Sequence, residues 1–99
     1  MADLSFEPPE WIIPGNLYFY NENARARTFI HEGGNEMSHL VIHNDPIIFI
    51  KVFFCEEFNA RSIMYYNIRL QMMLNVDMYE NHPVWEVFSE KETRDTRRL

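Results

Sequence analysis

Five side chains carry the chemistry to hold a metal ion or to attack a substrate: His31, His39, His43, His82 and Cys55. Neutral imidazole and thiolate are common metal ligands, and a Cys–His pair can also serve as nucleophile and base. Spacing decides whether they can act together. His39 and His43 are four residues apart, which on a helix puts both rings on one face, whereas on a strand they lie about 13 Å apart, too far for one ion. His31 and Glu32 precede Gly33 and Gly34 and could meet Glu36 across that turn, but the grouping matches no ligand pattern. Cys55 is followed by Glu56 and Glu57, whose negative charge opposes a thiolate nucleophile. Glu56, Glu57 and Asp77 could supply paired carboxylates, yet nothing in the sequence sets their separation. No G-x-S-x-G elbow, phosphate-binding glycine loop, dinucleotide fingerprint or H-E-x-x-H pair occurs. These residues therefore point away from an enzyme, with no catalytic residue, metal site or cofactor expected.

The elements that position these groups are read from hydrophobic periodicity. Across residues 64–78, Met64, Tyr66, Ile68, Leu70, Met72, Leu74, Val76 and Met78 are apolar, with Asn67, Arg69, Gln71, Asn75 and Asp77 between them. This is a strand period; the turn angle of a helix scatters the same side chains over its whole circumference. The stretch is expected to be the central, half-buried antiparallel strand. Residues 47–55, IIFIKVFFC, are β-branched and aromatic and predict a second strand. Further strands are expected at residues 17–20, 27–31, 37–43 and 84–89. Gly33 and Gly34 favour a tight hairpin turn, and Asn44, Asp45 and Pro46 another reversal.

The expected fold is mainly β: a small antiparallel barrel or sandwich of about six strands in meander order. Residues 15–89 form the single β domain, residues 1–14 an N-terminal arm stiffened by Pro8 and Pro9, and residues 90–99 a charged C-terminal tail. The alternative is α+β, with one short helix near residues 56–66 packed on the sheet.

Ninety-nine residues, 46% apolar and 15% aromatic, suit one folded domain with one core. The formal charge is −6, and the last ten residues carry four basic and three acidic groups, which leaves −7 on the body. An acidic body repels phosphate backbones and disfavours direct nucleic-acid binding. A single cysteine allows no internal disulfide, the N-terminus has acidic residues where a signal peptide needs basic ones, and no apolar run reaches the length of a membrane span. A cytoplasmic or nuclear, intracellular protein without a membrane partner is expected.

What remains is surface. The strand at residues 47–55 is apolar on both faces, as befits a strand that is central or that covers an interface. If the odd-numbered faces lie side by side, Phe49, Phe53, Tyr65 and Met73, with Lys51 among them, form an aromatic and methionine patch suited to recognition. Trp11 in the arm is either a clasp on the core or a further anchor. The function expected is a non-enzymatic protein–protein interaction module, acting as a homo-oligomer, a small complex subunit or an inhibitor. The alternatives are a small-ligand-binding β-barrel or small hydrolytic enzyme, and an acidic nucleic-acid mimic that inhibits a basic nucleic-acid-binding protein.

Overall fold

β-branched and aromatic runs separated by Asn, Gly and Pro turns build an all-antiparallel sheet in this chain. A computed structural model describes residues 7–23, 29–56, 59–78 and 84–92. Its strands are β1 (Leu17–Tyr20), β2 (Ile30–Glu32), β3 (Asn35–Glu36), β4 (Pro46–Cys55), β5 (Ala60–Asn67), β6 (Met72–Met78) and β7 (Phe88–Ser89). They form one seven-stranded sheet in the order β3-β2-β6-β5-β4-β1-β7, with every pairing antiparallel. The mainly β expectation holds. Meander order holds from β4 to β6, while β1 and β2 lie on opposite flanks of that meander. The sheet does not close on itself among the described residues.

The expected continuous strand over residues 64–78 is two strands. Ile68 to Gln71 form a four-residue turn between β5 and β6, held by the Leu70 N–H donating to Asn67 Oδ1 at 2.9 Å and by Gln71 at φ 55°. An asparagine side chain that caps its own turn supplies what the pattern lacks in glycine. Alternation conceals the turn, because partners such as Asn67 and Met72 differ by an odd number. The buried face therefore passes from odd positions in β5 (Ile63, Tyr65, Asn67) to even positions in β6 (Leu74, Val76). Three further expectations change. Residues 37–43 are turns rather than a strand; residues 84–87 are a 3-10 turn ahead of a two-residue β7; and residues 60–66 belong to β5, which overturns the helix alternative.

One face of the sheet carries the core, which we call the closed face. Tyr18, Tyr20, Ile30, Ile47, Phe49, Ile63, Tyr65, Leu74 and Val76 are buried there with Ile12, Val41, Val87 and Phe88. Phe88 sits at its centre, edge-on to Tyr18, Phe49 and Tyr65 at 5.7–5.9 Å. Such T-shaped pairs add to plain burial because ring edges and faces carry opposite partial charge. The chain ahead of β1 clasps this core: the Tyr18 hydroxyl donates to Trp11 O at 2.8 Å and accepts from Ile13 N–H at 2.7 Å.

Candidate interaction face

The second, open face of the sheet is built by the side chains that alternate with the core. Register places Leu17 opposite Ile48, Ile48 opposite Tyr66, and Tyr66 opposite Met73, a single apolar row across β1, β4, β5 and β6. At the usual strand spacing the row spans about 14 Å. Leu17 is 51% exposed and Met73 39%, with Ile48 and Tyr66 half-buried between them. Phe19 and Pro46 lie next to the row, and Ile68, in the turn that follows β5, is also exposed.

Further along the same face the chemistry turns polar. Lys51 is exposed and sits opposite Met64, and beyond it three buried polar side chains meet. Ser62 Oγ donates to Asp77 Oδ1 at 2.7 Å, and His31 Nε2 lies 2.9 Å from the same oxygen. His31 Nδ1 accepts the Gly34 N–H at 3.3 Å, which leaves Nε2 to carry the proton toward Asp77. The Phe29 ring stacks on the imidazole at 5.1 Å. Serine, histidine and aspartate are the residue types of a hydrolase triad, but the wiring differs. A triad sets histidine between serine and aspartate; here serine and histidine share one aspartate oxygen, so the histidine cannot take the serine proton. Asp77 Oδ2 and Asn75 Oδ1 are buried with no hydrogen-bond partner among the described residues.

A second aspartate closes the end of the sheet where β1, β4 and β5 meet. Asp45 receives Arg69 through Nε and Nη2, Asn67 Nδ2 at 3.1 Å and the Ile42 N–H at 3.0 Å. Burial pushes its carboxyl up, yet the Arg69, Ile42 and Asn67 hydrogen bonds with the guanidinium charge outweigh that and hold it below the ordinary 3.8. The Asp45 hydrogen bond in turn raises the pKa of Arg69. Arg69 also donates to Leu40 O at 2.6 Å, tying the β5–β6 turn to the loop before β4. On the closed face, burial first and then neighbouring Tyr20 and Asp45 lift the Tyr65 phenol far above its ordinary 10.0. It stays neutral at any working pH.

The six residues expected to form one recognition patch are divided by the fold. Phe49 and Tyr65 are cross-strand partners but lie on the closed face, 1% and 0% exposed, and so are core rather than contact surface. Trp11 is partly exposed on the same side, edge-on to Tyr18. Lys51, Phe53 and Met73 belong to the open face. A bulge in β4 between Phe49 and Lys51 reverses the alternation there, so odd positions face the core before it and open space after it. The residues missed were Leu17, Ile48 and Tyr66, which only the register brings into line with Met73. Among the suspected ligands, His31 turns to Asp77, His39 lies 3.8 Å from Glu36, and His43 Nδ1 accepts the Glu22 N–H. His82 lies outside the described residues. No group of three metal-ligating side chains forms among the described residues, and none of their helices is long and apolar enough to cross a membrane. Comparison with protein-family models, with curated proteins and with solved structures found no match, so the reading of this chain rests on its own geometry.

Proposed function

We propose that the protein is a non-enzymatic interaction module that binds another protein through the open face of its sheet. The observation that carries this reading is the cross-strand row Leu17–Ile48–Tyr66–Met73, four apolar side chains aligned by register and left partly in water. Apolar side chains set side by side on a sheet face are what protein partners bury. Covering what these four side chains leave exposed, half of Leu17 and less of the other three, is worth about 3 kcal/mol before the cost of association. That contributes substantially to a complex without forming a tight one alone, since micromolar affinity needs about 8 kcal/mol. The rest must come from polar contacts at the rim, where Lys51 stands at one end of the row's neighbourhood. A reducing cytoplasmic or nuclear setting suits the lone Cys55.

Photo-crosslinking in the native host tests the face directly. A photoreactive phenylalanine analogue at position 17 or 73 should give the same discrete protein adduct, and the adduct should disappear when Tyr66→Asp is added. The same analogue at Glu10, exposed and outside the row, should give none. Equal adducts from all three positions, or none from 17 and 73, would remove the open face as the docking surface.

A further inference from the structure

The flank of β4 carries a second, directional feature. The Phe49 N–H donates to Asn16 O and Phe49 O accepts from Gly15 N–H, so Phe49 turns its backbone toward β1. Within β4, the residues paired with β1 itself are Pro46, Ile47 and Ile48, short of the bulge. On the other flank, β4 stays paired with β5 as far as Cys55 opposite Ala60. Beyond the bulge, Lys51, Phe53 and Cys55 stand opposite Met64, Ser62 and Ala60, the β5 residues that point their backbone at β4. Val52 and Phe54 must then direct their N–H and C=O groups outward. Among the described residues no strand meets them. Phe54 is the most exposed large apolar side chain in the described structure, at 57%. Val52, Phe53, Phe54 and Arg61 line a shallow depression beside this edge.

A bare edge of this kind recognises one class of object, an extended strand, because only a strand can pair with its row of backbone groups. We infer that the occupant is the same edge of a second copy of this chain, paired antiparallel about a twofold axis through Phe53. Two features of the edge select it. First, the register is self-complementary: with Phe53 on the axis, Val52 stands opposite the second copy's Phe54 and the reverse, and all four outward residues exchange hydrogen bonds. Second, the edge is polar end to end, with Lys51 where it begins and exposed Glu56 where it ends. Antiparallel self-pairing brings the basic end of each copy to the acidic end of the other, whereas parallel pairing sets like against like. The depression then receives the second copy's Phe54 ring. An axis normal to the sheet leaves both open faces on one side, so the dimer carries two copies of the apolar row side by side. The edge uses atoms separate from that row, and the two assignments stand or fall independently.

Mass by light scattering across a concentration series is the test, with edge and face variants of the full chain. The wild type should move from 12.0 kDa toward twice that value as concentration rises. Val52→Pro removes an outward donor while leaving the β4–β5 ladder its bonds, and should hold the protein at the monomer mass. Phe54→Lys, at an exposed side chain, covers the case in which Val52→Pro does not fold, and should raise the dissociation constant at least tenfold. Lys51→Glu should weaken the dimer several-fold, and adding Glu56→Lys should restore it. Leu17→Asp should leave the mass profile unchanged. A wild type that remains a monomer at millimolar concentration overturns the proposal. So does a dimer that survives both edge variants, or one abolished by Leu17→Asp alone, which would place self-association on the open face instead.

Discussion

Tyr65 and Tyr66 are neighbours in β5 with opposite fates: Tyr65 is 0% exposed beneath Phe88, and Tyr66 stands half-buried in the apolar row of the open face. Both faces of the sheet are apolar at this point, and among the described residues only one is covered. Apolar content therefore does not identify the core here; the side from which the clasp at Trp11 and Ile13, the 3-10 turn and β7 close does. Substitution should separate the faces most sharply. Phe49→Glu sets a carboxylate among Trp85, Phe88 and Tyr65 and should cost more than about 4 kcal/mol, a large share of the stability of a domain of this size. Leu17→Asp, on the open face, should stay within about 0.5 kcal/mol of the wild type. Urea unfolding followed by tryptophan fluorescence measures both, and equal losses would erase the distinction between the faces.

The two buried aspartates repeat the contrast in polar form. Asp45 meets a guanidinium, an amide and a backbone N–H, whereas Asp77 meets a hydroxyl and an imidazole through one oxygen and leaves the other without a bond among the described residues. Asp45 is the aspartate latched to a guanidinium, and its contribution should follow pH in a defined direction. Its folded carboxyl lies below 3.8, so its stabilisation is complete above that value and is lost as pH falls through the folded one. Arg69 is 40% exposed, so solvent screening holds the contribution to about 1–2 kcal/mol instead of the larger loss expected of a fully buried pair. Asp45→Asn should lower the free energy of unfolding, read from urea titrations, by that amount between pH 5 and 7, and the gap should narrow as pH falls below 3.8. A gap that widens in acid would show that the carboxylate is not the stabilising form.

The strand character of residues 17–20, 47–55 and 64–78 was legible because β-branched, aromatic and alternating side chains leave few other options. Which side of each strand faces the core was not. Parity changes twice, once at the β4 bulge after Phe49 and once at the turn from Ile68 to Gln71, and neither position carries a glycine or proline to announce it. The candidate face was legible in part for the same reason. Met73, Phe53 and Lys51 could be named from alternation, but Leu17, Ile48 and Tyr66 join Met73 only through the register of three separate pairings. The Ser62–Asp77–His31 cluster could not be assembled from the sequence, because its members lie 15 and 46 residues apart; His31 and Asp77 stood out, but beside Glu36 and beside Glu56 and Glu57 instead of each other.

Gln71 offers the smallest and most discriminating test of where that second parity change occurs. At φ 55° it occupies the left-handed region, which costs a residue with a Cβ about 1–2 kcal/mol relative to glycine. Glycine recovers that strain and gives back about 0.5–1 kcal/mol of unfolded-chain entropy. Gln71→Gly should therefore stabilise the protein by about 0.5 kcal/mol, a rise in Tm of about 2–4 °C. Gln71→Val should move the other way by more than about 1 kcal/mol, because a β-branched side chain tolerates the left-handed region least. A continuous strand over residues 64–78 makes the opposite forecast, since valine is the better strand former and glycine the worse one. The sign of the two Tm shifts, measured side by side, thus decides between a turn that transfers the buried face from odd to even positions and a strand that never turns.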